Sequence, residues 1–114
     1  MNNLQITARY QIHNGKLAEF KKIAEECHSI VKTKDKDTLQ YDWYFDESQT
    51  ECVLRETYPD SNALLTHLKN IGKLGGKIVA LSDFSAEIYG QPSEELLQAI
   101  SGLNIKVYTF FQGI

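Results

Sequence analysis

The spacing of apolar residues along this chain changes between every second position and every third or fourth, and these changes constrain the fold most. Apolar and polar residues alternate strictly over residues 4–12, which predicts a strand with one buried face. Over residues 17–31 the apolar residues recur at three- and four-residue steps, with lysines and glutamates opposite, which predicts an amphipathic helix. Asn14 and Gly15 separate the two patterns, because this dipeptide breaks a strand.

Three more strands and a second helix follow from the same reasoning. The predicted strands cover residues 39–45, 52–58 and 84–89, and the helix is capped by Asp60 or Ser61 and ends at Gly72. A short apolar run at residues 78–81 predicts a single helical turn. The order strand, helix, strand, strand, helix, strand predicts an α+β domain with a ferredoxin-like βαββαβ antiparallel sheet.

Residues 91–114 extend this minimal arrangement. Pro92 and Ser93 open a predicted short helix that Gly102 closes, and residues 105–111 form a predicted fifth strand. An unpaired strand needs an edge to pair with. We therefore expect residues 1–90 to form the ferredoxin-like domain and residues 91–114 to be its helix–strand extension, adding to a sheet edge of the same chain or of a second copy.

The composition argues against several partners. A net charge of −3 without a cluster of uninterrupted basic residues is unsuited to nucleic acid. Residues 1–9 do not resemble a signal peptide, and no apolar stretch approaches the ~18 residues of a membrane span. Cys27 and Cys52 are too few for a disulfide framework, so we expect reduced thiols and a cytoplasmic location.

The predicted fold leaves one sheet face without cover. Two crossover helices shield only one side of a four-stranded sheet, and most of the one Trp, six Tyr and five Phe lie on predicted strands. A large exposed aromatic face is unusual in a monomer. We expect a homodimer that buries this face, and the alternative is a monomer in which residues 91–114 cover it.

Residues 56–67 read ETYPDSNALLTH, so that a strand ends in Glu, an aromatic residue and an Asp follow, and an Ala-Leu pair precedes a His. This pattern resembles the antibiotic biosynthesis monooxygenase (ABM) family and its quinol-monooxygenase-like members, and the order of elements agrees over residues 3–90. The resemblance implies a dimeric α+β barrel with a pocket between the open sheet face and the helices. It also implies oxidation of phenolic or quinol compounds by dioxygen without a cofactor.

The resemblance does not extend to the haem-degrading branch of that family. That branch uses an Asn on the first strand and a Trp on the second helix, where this chain has Ala8 and His67. It also uses a later His, and no His follows His67 in this sequence. We therefore expect no haem and no other cofactor.

Two residues of the ABM-like segment are candidate catalytic groups. His67 is the best general base by residue type, because its ordinary pKa lies near neutrality. Glu56 shares a strand side with Leu54 and Cys52, and a carboxylate among apolar neighbours needs a partner. It is expected to orient His67 or to bridge subunits. The alternatives are a structural histidine and a structural ion pair or cap.

The aromatic strand residues are candidate substrate-binding groups. Trp43, Tyr41, Tyr44 and Tyr89 could wall a pocket for an aromatic molecule, although aromatic residues on strands more often occupy core or interface positions. Arg55 points to the other face and is expected to pair with Asp42 or Glu87.

Two functions agree with these observations. The first is a cofactor-independent monooxygenase that acts on a small aromatic, quinol-like substrate. The second is a non-catalytic dimeric barrel domain that binds a small hydrophobic ligand. No metal site is expected, because Cys27 and His28 are adjacent on a helix and point about 100° apart.

Overall fold

The computed structural model of the protein describes residues 3–114, and its elements follow the predicted order. They are β1 (Leu4–Ile12), α1 (Leu17–Lys34), β2 (Gln40–Phe45), β3 (Glu51–Tyr58), α2 (Ser61–Ile71), α3 (Lys73–Ala80), β4 (Ser82–Tyr89), α4 (Glu94–Ala99) and β5 (Ile105–Tyr108). The α+β ferredoxin-like fold predicted from the alternation of periods is therefore confirmed. None of the helices in this range is long and apolar enough to cross a membrane.

The strands form one sheet in the order β2-β3-β1-β4-β5. β1 is central and antiparallel to both β3 and β4, and β2 is antiparallel to β3. This register places Glu56 of β3 between Ile6 of β1 and Tyr41 of β2. Over residues 3–114 the sheet does not close into a barrel, so β2 and β5 form its two edges.

The C-terminal strand pairs within the same chain, parallel to β4. It ends at Tyr108 instead of the predicted residue 111, because β4 itself ends at Tyr89, which lies opposite Tyr108. Gly90 follows with a φ of 136°, where the backbone turns away and a Cβ would lie 2.9 Å from Leu4 Cδ2. Phe110 and Phe111 therefore lie beyond the sheet and are exposed.

The helices cover one face of the sheet and bury most of the strand aromatics. Six of these side chains pack into the core or against it: Tyr10, Tyr41, Trp43, Phe45, Tyr58 and Phe84. On the open face, the exposed strand aromatics are Tyr44, Tyr89 and Tyr108. The open face is thus less aromatic than the sequence suggested, because the buried side of each strand carries the larger share.

The two helices next to the cavity meet at Gly72. The side chain of Asp60 accepts a hydrogen bond from the Ala63 backbone N–H at 2.8 Å and caps the start of α2. Gly72 ends α2 with a φ of 52°, which favours glycine. α3 begins at once and is longer than the single predicted turn, because burial of Ile78 in the core outweighs the low helix propensity of Gly75 and Gly76.

Candidate active site

A cavity of about 310 Å³ lies between the inner face of the sheet and the helices α2 and α3. This volume falls at the lower end of small-molecule binding sites. Its lining is mostly aliphatic and aromatic, and Glu56 and His67 are the carboxyl and imidazole groups that interrupt it. The exposed lining residues Gly72, Gly76, Ala99 and Leu103 mark the mouth. One wall of this mouth is therefore α3 and the other is the C-terminal extension.

His67 reaches the cavity from the middle of α2 and is held by a buried aspartate. Its Nδ1 lies 2.6 Å from Oδ2 of Asp35, and the two side chains are only 3% and 2% exposed. A carboxylate can only accept, so Nδ1 carries the proton and donates to Asp35. The other ring nitrogen, Nε2, is left with its lone pair directed away from Asp35, as a general base requires.

Asp35 is fixed in turn by two further donors. It lies at the C-terminal cap of α1, where Asn70 Nδ2 donates to Oδ1 at 2.7 Å and Thr38 Oγ1 donates to Oδ2 at 3.2 Å. These two hydrogen bonds hold its carboxylate in the orientation that faces His67. This network joins the end of α1 to α2 across the cavity wall.

Burial and Asp35 act in opposite directions on His67. Removal from solvent lowers the pKa of the imidazole, while the hydrogen bond and the negative charge of Asp35 raise it, and the net result is a lowered pKa. The ring is therefore neutral at neutral pH. A proton taken up at Nε2 would be stabilised by Asp35 on the other side of the ring.

Glu56 lies beside His67 and is largely protonated at slightly acid pH. Its Oε1 is 3.8 Å from Nε2 of His67 and accepts a hydrogen bond from Tyr58 Oη at 2.6 Å. Burial raises the pKa of Glu56 from 4.5 to about 7, the Tyr58 hydroxyl lowers it, and the charge of Asp35 raises it. Near neutral pH the cavity thus holds a neutral imidazole beside a carboxyl group that is about half protonated.

Solved structures share this architecture, whereas no family model matches the sequence and no curated protein is significantly similar to it. MupZ from Pseudomonas fluorescens is 22% identical and aligns over 100% of this chain and 94% of its own, with a TM-score of 0.84. An antibiotic biosynthesis monooxygenase is 20% identical over 79% of this chain and 99% of its own, with a TM-score of 0.68. The fold is ABM-like. SnoaB from Streptomyces nogalater, a cofactor-independent oxygenase, agrees as well, with 14% identity, 82% and 96% coverage and a TM-score of 0.68.

The ABM-like fold brings four of the six predicted site residues together. Glu56, His67, Tyr41 and Trp43 all line the cavity. The ring centroid of Tyr41 lies 5.2 Å from that of His67 and 5.6 Å from that of Trp43, so Tyr41 stands between the two. These contacts make one continuous aromatic wall.

The other two predicted residues lie outside the cavity. Tyr44 and Tyr89 follow Trp43 and Ile88 directly, and successive strand residues point to opposite faces. Both tyrosines are therefore on the open face of the ABM-like sheet and exposed to solvent. The period of two already separates them from Tyr41 and Trp43. A pocket that used all four would have needed both faces.

Two members of the site were not among the sequence candidates. Asp35 stood in a run of alternating charges, and no local pattern marks a contact with a residue 32 positions away. Tyr58 is two residues after Glu56 and hence on the same strand face, so the alternation was a usable signal for it.

The remaining residues singled out in the sequence have contacts that indicate a structural role and not a catalytic one. Arg55 lies opposite Asp42 in the register, while Glu87 pairs with Arg9, the two side chains being 3.4 Å apart. Cys27 lines the cavity, but burial raises the pKa of its thiol to about 11, so it is not an activated nucleophile. No group of three or more His, Cys, Asp or Glu within residues 3–114 has a metal-binding arrangement.

Proposed function

We propose that the protein is a cofactor-independent monooxygenase that acts on a small aromatic, quinol-like substrate with His67 as the general base. The observation that carries this proposal is the buried Asp35–His67 pair at the wall of an apolar cavity. An oriented, neutral imidazole in a dry site is suited to removing a proton from a weak acid. The ABM-like fold and the structural similarity to SnoaB, a cofactor-independent oxygenase, support the same chemistry.

In the proposed reaction, Nε2 of His67 takes a proton from an acidic OH or ring CH₂ group of the substrate. The resulting anion is electron-rich and reacts with dioxygen to give a peroxide. His67 returns its proton to the peroxide to give a hydroperoxide, and then takes the remaining proton of the same carbon while the O–O bond breaks. Water leaves and a new carbonyl group remains. Glu56, in its protonated form 3.8 Å from Nε2, is placed to return a proton to the departing oxygen.

The electron balance restricts the substrate. Without an external reductant, the substrate supplies all four electrons that reduce dioxygen to one carbonyl oxygen and one water. The conversion R₂CH₂ + O₂ → R₂CO + H₂O meets this condition. We therefore propose a fused-ring ketone that carries a CH₂ opposite its carbonyl, of the anthrone type, in preference to a simple hydroquinone, which supplies only two electrons.

The direct test is oxygen uptake with a panel of anthrones and hydroquinones. We expect uptake by the wild type and a fall of about 10²–10⁴-fold in kcat/KM for His67→Ala, which is the usual contribution of a general base. His13→Ala is the matched control, because His13 also faces an aspartate, Asp83 at 3.1 Å, but both groups are on the surface. With ¹⁸O₂, one labelled atom is expected in the product.

Absence of uptake with every compound would contradict the enzyme proposal. The alternative function, a domain that binds a small hydrophobic ligand without chemistry, would then be the better description. Equal rates for wild type and His67→Ala would contradict the role of His67 while leaving the oxygenase activity in place.

We also propose that the protein is a homodimer and resides in the cytoplasm. The open sheet face supports the dimer, because Tyr44, Tyr89 and Tyr108 are exposed there. The rings of Tyr89 and Tyr108 stack, with their centroids 5.3 Å apart. A second copy would cover this face. The free thiols of Cys27 and Cys52 support a reducing compartment.

A further inference from the structure

Tyr58 is a buried tyrosine that contacts both members of the proposed acid–base pair. Its side chain is completely shielded from solvent. Its Oη donates a hydrogen bond to Glu56 Oε1 at 2.6 Å. Its ring also packs against the ring of His67, with the two centroids 5.5 Å apart. Tyr58 is therefore placed to influence how Glu56 and His67 meet each other.

The strand and the core together hold the Tyr58 hydroxyl against Glu56. Residues two apart on a strand point to the same face, so Glu56 and Tyr58 of β3 lie side by side. The Tyr58 side chain belongs to the buried cluster that contains Leu4, Leu64 and Ile88. Burial raises the pKa of its hydroxyl well above the ordinary value, so the hydroxyl keeps its proton and acts as the donor.

The distance between Glu56 and His67 shows that no hydrogen bond joins them. Oε1 lies 3.8 Å from Nε2, which is longer than a hydrogen bond of about 2.9 Å. Nε2 carries a lone pair, because the ring proton is on Nδ1 and is donated to Asp35. Oε1 already accepts the proton of Tyr58, so the proton of a neutral Glu56 is favoured on Oε2. Two acceptors thus face each other without a proton between them, which accounts for their separation.

We propose that Tyr58 is a positioning residue that keeps Glu56 and His67 from pairing with each other. Without the Tyr58 hydroxyl, Oε1 would be free to carry the proton of Glu56 and to donate it to Nε2. That bond would occupy both the lone pair that a general base needs and the proton that a general acid needs. The consequence for catalysis rests on the proposed function, whereas the pairing itself requires no substrate.

The other groups around Glu56 do not substitute for Tyr58. Among residues 3–114, the side chain that hydrogen-bonds to Glu56 is that of Tyr58, and the charge of Asp35 acts only at a distance. Three further ionisable groups near Glu56 are neutral at neutral pH, because burial raises the pKa of each: Tyr10, Tyr41 and Cys27. Loss of the Tyr58 hydroxyl would therefore leave His67 as the nearest hydrogen-bond partner of Oε1.

The ¹⁵N resonances of the His67 ring test the proposal. A ring nitrogen with a free lone pair resonates well downfield of a protonated one. At pH 7 we expect Nε2 of the wild type to resonate downfield, and to move upfield in Tyr58→Phe, which keeps the ring and removes the hydroxyl. Tyr89→Phe is the matched control, since Tyr89 also donates to a glutamate two residues earlier, Glu87 at 3.0 Å, but on the surface. The measurement needs neither substrate nor oxygen, so its outcome is separate from that of the oxygenase assay.

A double variant separates this positioning from a general loss of structure. Tyr58→Phe/Glu56→Leu removes both partners of the hydrogen bond, and replacing both by apolar groups of similar size costs little stability. We expect its Nε2 resonance at the wild-type position, because no carboxyl group remains to pair with His67. An unmoved resonance in Tyr58→Phe, or the same upfield movement in the double variant, would overturn the proposal. A wild-type Nε2 that already resonates upfield at pH 7 would overturn it as well, and this measurement does not depend on whether a variant folds.

Discussion

His67 Nδ1 and Asp35 Oδ2 lie 2.6 Å apart across the junction of α1 and α2, although 32 residues separate them in the chain. Both side chains are almost completely shielded from solvent. The contact fixes the ring of His67 and sets which nitrogen faces the cavity. Removal of the Asp35–His67 contact should therefore change the reactivity of His67 more than the shape of the cavity.

Asp35→Asn tests this relationship. The substitution keeps the size of the side chain and removes the charge that raises the pKa of His67. We expect kcat/KM to fall by about 10²-fold, and the rise of activity with pH, which follows deprotonation of His67, to move to lower pH. Asp37→Asn, an exposed aspartate of the same segment, is the control and should match the wild type. An unchanged pH profile in Asp35→Asn would contradict the positioning role.

Glu56→Gln tests the buried carboxyl group through stability. Burial raises the pKa of Glu56 to about 7, whereas the carboxyl of the unfolded chain ionises near 4.5. Between these values the folded protein holds a proton that the unfolded chain has lost. The free energy of unfolding of the wild type should therefore fall by about 3 kcal/mol as the pH rises through this window.

Glu56→Gln carries no such proton and should lack this fall. The lowered pKa of His67 acts in the opposite sense, since stability from a neutral buried imidazole grows as the pH rises. That contribution is present in both proteins, so the difference between them isolates Glu56. Urea unfolding at a series of pH values between 4 and 8 measures it. Parallel curves for the two proteins would show that Glu56 ionises normally in the folded state.

Gly76 offers a test of the entrance to the cavity. It lies in α3 at the mouth, and a Cβ added there would meet no atom within 4 Å. Gly76→Ala should therefore fit and stabilise the helix by up to about 1 kcal/mol. In Gly76→Leu the Cβ also fits, but the longer side chain is expected to extend over the mouth of the cavity.

With oxygen excluded, we expect Gly76→Leu to slow the association of an anthrone with the cavity several-fold, and Gly76→Ala to leave the association rate unchanged. Stopped-flow quenching of Trp43 emission measures the rate, because Trp43 lines the cavity. Equal association rates in both variants would place the entrance elsewhere.

The proposed homodimer makes a prediction about mass. Light scattering at micromolar concentration should give twice the chain mass of 13.0 kDa. Tyr89→Lys, on the open face, should shift the protein toward the monomer, whereas Gln98→Lys, on the exposed side of α4, should not. A wild type that scatters as a single chain would contradict the dimer.

Deletion of the whole extension, residues 91–114, would not be a useful test of dimerisation. Leu96 and Ile100 of the extension are buried with Leu4 and Ile88, so removal of residues 91–114 would open the core. Deletion of residues 110–114 removes the exposed Phe110 and Phe111 and leaves that core intact. This shorter deletion separates a role in dimerisation from a role in folding.

The fold was predictable because its signals are local. Each signal acts within one element: the period of two or of about three and a half residues, the aspartate cap and the terminating glycine. Together these signals are enough to predict the order of strands and helices. The length of β5 was not predictable in this way, because it depends on where β4 ends. The helical state of Gly75 and Gly76 likewise depends on burial of the neighbouring Ile78.

The candidate site was predictable only in part, for a related reason. Glu56 and His67 could be identified by residue type on elements that face each other, and Tyr41 and Trp43 by their shared strand face. Tyr44 shares their residue type but lies on the opposite face of β2, so residue type alone misplaces it and the alternation places it correctly. Asp35 was missed because its role arises only where α1 and α2 meet.

The core shared by the two ends of the chain has a consequence for synthesis in the cell. Leu4 near the start and Leu96 in α4 belong to one buried cluster, while most of the other cluster is complete by residue 86. Chains emerge from the ribosome from the N-terminus onward. We therefore expect the nascent chain to form the core under α1 first. Part of β1 stays uncovered until α4 has been translated, so the wall that α4 contributes to the cavity is completed late in synthesis.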